Sequence, residues 1–294
     1  MLYDAITSNH SAIEWARSKG ILSREMTCTT CGELMKEVPD GRRPEPIWRC
    51  TRTVNGCRHF KKQSIRFGSI FVNSHISIKE ALFLIYEWAS RTPRDEAAYQ
   101  IGVDRKTTSG WYKMCRGVAE SFVDTCLSNK IGDAGSIVEI DECQLGRRKH
   151  HRGRVPKELW VFGGVVRGSN PQVCFIEIVA KRDENTLVEV INRRIHPEAR
   201  IISDGWKAYQ NLGRLGFNHS IVNHSENFVS PSDNTIHTQG IENLWRCLRR
   251  FMSTKGSYSR KRIRSYVYEF IFRKASVDPF ECILSAISDK YLLQ

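Results

Sequence analysis

Four cysteines near the start of the chain have the spacing of a metal site. Cys28 and Cys31 form a C-x2-C pair, and Cys50 and Cys57 form a C-x6-C pair after a gap of 18 residues. The first pair is typical of the tight knuckle in which two thiolates reach one tetrahedral zinc ion, and Gly32 is free to take the backbone turn. The sequence therefore predicts a Zn²⁺ site.

The fourth zinc ligand has two candidates. The second cysteine pair is wider than the usual C-x2-C of a zinc ribbon, and His59 lies two residues beyond Cys57. We favour four cysteines, with His59 as the alternative ligand. Few large apolar side chains lie between Cys28 and Cys57, so metal binding would supply the folding energy of this segment. Four reduced cysteines without metal are the remaining interpretation.

Three carboxylates later in the chain have the setting of a second, different metal site. Asp141 follows the apolar residues Ile137, Val138 and Ile140, Asp204 ends a short apolar run, and Glu242 lies near the start of an amphipathic helix. Hard oxygen ligands of this kind suit Mg²⁺ or Mn²⁺. Two such ions about 3.5 to 4 Å apart can support phosphodiester cleavage.

Each carboxylate also has a structural interpretation. Asp141 can serve as a cap or in an ion pair, Asp204 as a helix N-cap, and Glu242 as a charge that complements a helix dipole. An unpaired carboxylate among apolar residues is costly to bury, which favours a functional role for Asp141. Glu139 and Glu142 are neighbouring acids of lower rank.

The elements that must position these acids alternate between strands and helices. Strands are predicted at 137–143, 160–166 and 173–179, and these three strands are expected to form an antiparallel meander. A helix capped by Asp183, a strand ending at Asp204, a small helix, a strand at 218–222 and the helix carrying Glu242 follow. This order predicts an α/β fold with an RNase H-like, mixed-sheet catalytic core.

A helical segment precedes this core. Ser77 is a plausible N-cap for a helix that ends before Pro93, and a short helix, Gly102 and a third helix capped by Asp104 follow. In a helix-turn-helix, the start of the last helix meets base edges, which makes Arg105 and Lys106 candidate DNA contacts. A plain three-helix linker fits the same pattern.

The composition favours a polyanionic partner. The 294 residues carry 45 Lys and Arg against 32 Asp and Glu, a formal charge of +13. A basic surface gains affinity by releasing counterions from phosphate backbones. The chain has no apolar run of membrane-spanning length, and its first residues lack the apolar stretch of a secretory signal, so an intracellular protein without a membrane partner is expected.

Basic clusters flank the predicted catalytic strand and helix. The first cluster lies at 147–154, and its candidate DNA contacts are Arg147, Arg148, Lys149, Arg152 and Arg154. Arg246 lies on the same helix as Glu242, and a second cluster at 255–264 follows that helix. A solvated face or an import signal is the alternative for both clusters.

Several motifs around these residues resemble one known family. They are Asp141-Glu142, Leu159-Trp160-Val161-Phe162-Gly163-Gly164, Ile201-Ile202-Ser203-Asp204-Gly205-Trp206 and Gln239-Gly240-Ile241-Glu242-Asn243-Leu244-Trp245-Arg246. Together they resemble the Merlin superfamily of DDE transposases and its bacterial insertion-sequence relatives. The resemblance covers about 137–275 closely, and the N-terminal zinc ribbon more loosely.

The resemblance implies a DNA transposase in which Asp141, Asp204 and Glu242 hold two metal ions. It also implies binding to transposon ends and target DNA, and oligomerisation on DNA by analogy. The predicted organisation is a helix and zinc ribbon at 1–74, a helix-turn-helix-like segment at 75–130, the catalytic domain at 131–276 and a helical tail at 277–294. A eukaryotic member would act in the nucleus, and a bacterial one on the nucleoid.

Two other functions use the same features. A host-recruited DNA-binding protein would use the zinc ribbon and the helix-turn-helix without chemistry. A simple RNase H-type nuclease would cleave without specificity for terminal repeats and without joining ends. The intact set of acids argues against the first, and the N-terminal DNA-binding elements argue against the second.

Overall fold

The protein is described by a computed structural model that covers residues 2–41, 44–54, 57–126, 129–145, 159–222, 236–255 and 260–291. At positions 54, 57, 260 and 261 only the backbone is described. The chain divides into two compact units, residues 1–119 with 278–294 and residues 120–277. Within the ranges given, no helix combines the length and apolar character needed to cross a membrane.

The first unit contains a small antiparallel sheet with strand order β1-β2-β5 and a separate hairpin of β3 and β4. Its strands are β1 (Lys36–Val38), β2 (Ile47–Cys50), β3 (Thr53–Val54), β4 (Cys57–Arg58) and β5 (Lys61–Ser64). Its helices are α1 (Leu2–Ala5), α2 (Asn9–Ser18), α3 (Ile78–Ala89), α4 (Arg94–Ile101), α9 (Pro279–Tyr291) and most of α5 (Arg105–Cys126). Its small sheet and its helices lie in separate stretches of the chain.

The helix starts predicted from capping residues are confirmed. The Ser77 hydroxyl accepts a hydrogen bond from the Glu80 backbone N–H at 3.1 Å, and the Glu80 carboxylate accepts one from the Ser77 N–H at 2.7 Å. This reciprocal pair is a capping box. At the start of α5, Asp104 Oδ1 accepts from the Lys106 N–H at 2.6 Å. Short polar side chains therefore set where these helices begin.

The C-terminal helix α9 returns to the first unit. Phe280 stacks on Trp15 of α2 with ring centroids 5.9 Å apart, and Lys19 Nζ lies 2.8 Å from Glu281 Oε1. The sequence predicts a helix here and gives no indication of its packing partner. The burial of Ile283 and Ile287 shows that α9 contributes to the core of this unit.

The second unit is built on a five-stranded mixed sheet, which confirms the predicted α/β class. Its strands are β6 (Ile137–Leu145), β7 (Leu159–Val166), β8 (Cys174–Val179), β9 (Arg200–Asp204) and β10 (Asn218–Val222). The order is β10-β9-β6-β7-β8. β6, β9 and β10 are parallel, whereas β7 runs antiparallel to β6 and to β8, so the predicted meander is also confirmed.

Helices cover both faces of this sheet. α7 (Gln239–Ser253) and α8 (Arg260–Ala275) lie on one face, and α6 (Glu184–Arg194) with a 3-10 turn (Lys207–Tyr209) lies on the other. Covered on both sides, β7 is buried along most of its length, which explains its continuous apolar sequence. The Asp183 side chain caps α6 as predicted, accepting from the Thr186 N–H at 3.0 Å.

Candidate active site

Strand register brings two of the predicted acids together. The ladder between β6 and β9 pairs Ile137 with Arg200 and ends where Glu139 pairs with Ile202. Extended by two residues, the same register places Asp141 beside Asp204. Side chains at matching positions of neighbouring parallel strands point to the same face, and the charge of Asp204 acts on Asp141.

Helix α7 brings the third acid to the same region. Its buried stripe packs on β6 and β7, and its exposed stripe carries Glu242 and Arg246. An open groove of about 570 Å³ is lined by Asp141, Gln239, Glu242, Trp245, Arg246 and Arg249. Thr238 Oγ1 donates a hydrogen bond to Glu242 Oε1 at 3.2 Å. Asp141 and Glu242 therefore line one groove.

The three carboxylates are not gathered around a single point. A compact metal site needs three or more ligand atoms of Cys, His, Asp or Glu within 4.8 Å of one another. Among the residues that the structure describes, only the cysteine and histidine cluster of the first unit meets this limit. Asp141, Asp204 and Glu242 do not form a group that meets this distance limit.

A tryptophan fixes the orientation of Asp141. Trp245 Nε1 donates a hydrogen bond to Asp141 Oδ2 at 3.0 Å. Its ring lies over Gly163, the residue opposite Asp141 on β7, where a Cβ atom would come within 2.6 Å of Trp245 Cη2. A glycine is needed at position 163 because only a bare backbone lets the indole lie this close to the strand. Trp245 is itself buried in the core of this unit.

Glu139 anchors the start of α7. Its buried carboxylate accepts hydrogen bonds from Arg167 Nε at 2.8 Å and from the Ile241 backbone N–H at 2.9 Å. Arg167 also donates to the His237 carbonyl at 2.7 Å. A carboxylate at a helix N-terminus satisfies a free N–H and complements the helix dipole. The helix carrying Glu242 is thus tied to the strand carrying Asp141.

The Gly240→Ala variant is expected to disturb this anchor. A Cβ atom at position 240 would lie 2.8 Å from Glu139 Oε2, too close for the buried carboxylate to keep its place. We expect a loss of about 1 to 3 kcal/mol in the free energy of unfolding, measured by urea denaturation. Gly213→Ala is the matched control because a Cβ there meets nothing within 4 Å. Equal stability of the two variants would contradict the anchor.

Burial and neighbouring charge perturb the acids on β6. Burial, together with the negative charges of Glu142 and Asp204, raises the pKa of Asp141 to about 7. Burial also raises the pKa of Glu142, which accepts a hydrogen bond from the Tyr209 hydroxyl. The pKa of Tyr209 is raised well above its usual value by burial and by Glu142. The site is therefore one in which a cation would relieve repulsion between carboxylates.

The raised pKa of Asp141 predicts a pH dependence of stability. In the unfolded chain an aspartate titrates near ~3.9, so between about pH 4 and pH 7 the folded protein holds a proton that the unfolded chain has released. Stability of the Mg²⁺-free protein is therefore expected to fall as pH rises through this window. Asp141→Asn should then be more stable than wild type at pH 8, on the order of 1 to a few kcal/mol.

Urea denaturation of wild type and Asp141→Asn in Mg²⁺-free buffer at pH 4.5 and pH 8 measures this effect. The two curves should nearly coincide at pH 4.5 and separate at pH 8. Coinciding curves at pH 8 would show that Asp141 is not destabilised by its surroundings.

The predicted basic contacts lie in different places. Arg246 is exposed and lines the groove beside Glu242. Arg105 and Lys106 are exposed in the first turn of α5, where Arg105 Nε lies 3.6 Å from Asp95 Oδ1. The other predicted contacts lie outside the described residues: Arg147, Arg148, Lys149, Arg152 and Arg154.

The first unit contains a cluster of three cysteines and one histidine. Cys28 Sγ and Cys50 Sγ lie 3.5 Å and 3.2 Å from His59 Nε2, and Cys31 Sγ lies 3.7 Å from Cys50 Sγ. A tetrahedral zinc ion with bonds of about 2.3 Å to sulfur and about 2.1 Å to nitrogen would set ligand separations of about 3.5 to 3.8 Å. The cluster is thus compatible with zinc.

Local structure prepares the cysteines for a metal. The Gly32 N–H donates to the Cys28 carbonyl at 2.8 Å and closes the knuckle. Hydrogen bonds to the backbone at Thr30 and Cys31, with His59 beside the sulfur, lower the pKa of Cys28 to about 6. Because the thiolate is the form that binds metal, this shift favours coordination.

The fourth member of the cluster is His59, the alternative ligand, whereas the sequence favours Cys57 as the fourth ligand. The side chain of Cys57 lies outside the described residues, although its backbone belongs to the β3–β4 hairpin. That hairpin, paired Thr53 to Arg58, brings His59 back toward Cys50. A turn of this kind makes the wide spacing after Cys50 compatible with a ligand beyond Cys57.

Sequence reasoning did not identify the supporting roles of Glu139, Trp245 and Tyr209. The sequence indicates Glu139 only as an acid that could substitute for Asp141, two residues later on the same face of β6. The i, i+2 spacing of the two acids, between buried apolar residues of β6, is the sequence feature that could have predicted a role for Glu139 beside Asp141. No sequence pattern predicts the role of Tyr209, because its hydrogen bond to Glu142 joins residues that are distant in the chain.

Comparison with known families adds a match over the second unit. Residues 133–275 match the family model described as an ISXO2-like transposase domain. The matched range covers just under half of the chain and contains all five strands of the mixed sheet and the three predicted acids. No curated protein matches the chain. The match supports a DDE transposase family and suggests an enzyme that acts on DNA.

Proposed function

We propose that the chain is a DNA transposase whose carboxylates Asp141, Asp204 and Glu242 form the catalytic site. The observation that carries this proposal is the common setting of the three acids. The register of β6 and β9, extended by two residues, places Asp141 beside Asp204, and Glu242 lies on the helix that is tied to β6 through Glu139. The transposase family match over 133–275 supports the same conclusion.

The proposal includes an RNase H-like core of the Merlin type. The strand order β10-β9-β6-β7-β8 supports this part of the proposal. β7, the second of these strands along the chain, runs antiparallel to its neighbours β6 and β8, and α7 covers the face of the sheet that carries Asp141. The quoted sequence motifs favour Merlin among related families.

The donor set fits divalent metal ions. Oxygen ligands suit Mg²⁺ or Mn²⁺. Burial and the charges of Glu142 and Asp204 raise the pKa of Asp141, and a cation would relieve the repulsion between these carboxylates. When bound, the ions would activate the attacking oxygen and stabilise the leaving oxygen.

The chain's own residues would do the rest. Asp141, Asp204 and Glu242 would hold the ions, and Trp245 keeps Asp141 oriented through its indole N–H. Arg246 and Arg249 line the groove and would contact DNA phosphates. Hydrolysis at each transposon end and attack by the freed 3′ hydroxyl on target DNA are both in-line displacements, so one site can serve both without a covalent protein intermediate.

The proposal is tested with the full-length protein and the DNA ends that flank its own gene. Purified protein is incubated with labelled end duplexes, Mg²⁺ or Mn²⁺ and a plasmid target, beside a scrambled duplex. We expect end-specific nicking and joined products that require the metal. Cleavage of both duplexes without joining would indicate a simple nuclease, and specific binding without cleavage would indicate a DNA-binding protein.

A further inference from the structure

Two tryptophans and an arginine form a layered stack in the second unit. The Arg182 guanidinium carbon lies 3.6 Å from the ring centroid of Trp160 and 5.1 Å from that of Trp206. Lys207 Nζ lies 5.9 Å from the Trp206 ring. These residues and Lys181 line an open groove of about 430 Å³, called here the tryptophan groove. It is separate from the groove beside Glu242.

The strand directions place the tryptophan groove at the catalytic end of the sheet. β6 and β9 are parallel and carry Asp141 and Asp204 toward their carboxyl ends. β7 is antiparallel to β6, so its first residues, including Trp160, lie at that same end. Arg182 follows the end of β8, and Trp206 follows Asp204 by two residues. The groove and the acids therefore share one end of the sheet.

The groove lies on the opposite face from Asp141. Trp160 is in register with Gln144, and Phe162, two residues further along β7, is in register with Glu142. Phe162 contacts Tyr209, which belongs to the 3-10 turn rather than to α7. A strand passing over this end of the sheet can thus reach both the acids and the tryptophans.

Several polar groups that line the groove are available to a ligand. Lys181 and Lys207 form no ion pair within the described part of the chain, and Asp183, which also lines the groove, caps α6. The charge of Arg182 acts on the Glu142 carboxylate. The Trp206 Nε1 is buried and has no hydrogen-bond partner among the described residues. The groove therefore offers three cations and one free N–H donor to a ligand.

Flat rings beside several cations suit one class of ligand. Base faces stack on aromatic side chains and on arginine, and lysines track the phosphates of a single strand. A base within a duplex has its faces covered by neighbouring pairs, so only an unpaired nucleotide can use such a stack. An uncharged apolar ligand would leave the cations unsatisfied.

We propose that the tryptophan groove binds an unpaired nucleotide of the DNA strand that lies at the carboxylates, with its base stacked on the Trp160, Arg182 and Trp206 layer. Lys181 and Lys207 contact its phosphates. This proposal rests on the proposed transposase function for the identity of the strand. It adds a base-binding subsite next to Asp204.

The test uses single-stranded and duplex oligonucleotides that carry 2-aminopurine, with the full-length protein and without Mg²⁺ or Mn²⁺. Trp160→Leu and Trp206→Leu keep apolar bulk but remove the ring faces, and Leu215→Ala is the control at an exposed apolar position of the same unit. We expect wild type to quench 2-aminopurine in the single strand. Each leucine variant should bind the single strand about tenfold more weakly, with duplex affinity unchanged.

A second pair of substitutions covers the case in which a leucine variant does not fold. The double variant Lys181→Gln with Lys207→Gln changes exposed side chains only. The slope of log affinity for the single strand against log salt concentration should become shallower by about 1.4, which is about 0.7 for each lost phosphate contact.

Three outcomes would overturn the proposal. In the first, the wild-type protein does not bind the single strand. In the second, the variants bind the single strand as tightly as wild type does. In the third, the variants lose the same affinity for the single strand and for the duplex. A fall in melting temperature alone would show that the stack is structural. Because these measurements need no cleavage, they are independent of failure of the end-cleavage experiment.

Discussion

Replacing Asp204 by asparagine is expected to reduce metal-dependent DNA cleavage at least ~100-fold while DNA binding is retained. Loss of groups that merely orient metal ligands costs about 10- to 100-fold, so loss of a carboxylate that holds the metal should cost more. The same result is expected for Asp141→Asn and Glu242→Gln. Initial rates of end nicking under saturating Mg²⁺ measure the effect, and a filter-binding assay measures affinity for the end duplex.

Glu189→Gln is the matched control for these variants. Glu189 lies exposed on α6 of the same unit, so its replacement removes one carboxylate without touching the groove. The control should cleave at the wild-type rate. If Asp204→Asn cleaved within a few-fold of Glu189→Gln, Asp204 would be only the turn residue that accepts a hydrogen bond from the Trp206 N–H at 3.0 Å.

Removing zinc is expected to unfold the segment from Cys28 to Ser64. Structural zinc contributes about 10 to 16 kcal/mol to the folding of isolated zinc-finger peptides, and the strands β1, β2 and β5 are only three or four residues long. Cys28→Ser and Cys50→Ser should lose the metal. Zinc content by atomic absorption and limited proteolysis of the N-terminal segment measure the result.

The identity of the fourth ligand is decided by two more variants. With the cluster of Cys28, Cys31, Cys50 and His59, His59→Ala should lose zinc and Cys57→Ser should keep one ion per chain. The reverse pattern would restore the four-cysteine site that the sequence favours. Cys126→Ser is the control because this exposed cysteine lies outside the cluster.

The carboxylate variants and the zinc variants serve as controls for each other. The carboxylate variants alter the second unit, and the zinc variants alter a segment of the first unit. We therefore expect carboxylate variants to keep full zinc content. Loss of zinc in Asp204→Asn would indicate general misfolding rather than loss of a catalytic ligand.

Local patterns in the sequence were sufficient for the secondary structure of the candidate site. The strand 218–222 and the helices capped by Ser77, Asp104 and Asp183 follow from short-range rules, because capping and alternation depend on residues a few positions apart. The mixed α/β class followed from the order of these elements. The spacing of the cysteines was likewise sufficient to predict that Cys28, Cys31 and Cys50 lie together in a group that could hold a metal ion.

Only the tertiary structure decided which residues support the chemistry. Whether Glu139 is a ligand or an anchor depends on where α7 begins in space, 102 positions later in the chain at Ile241. The approach of Trp245 to Asp141 depends on a bare Gly163 on a third element. His59 joined the cysteines because the β3–β4 hairpin turns the chain back.

The sequence by itself determined the residue types that could do chemistry and the elements that carry them, since both are local properties. The tertiary structure decided which of those residues meet, because contacts between distant positions follow from strand register and helix packing. For Asp141 and Asp204 the deciding fact is the parallel pairing of β6 with β9, and no pattern within either strand specifies that partner.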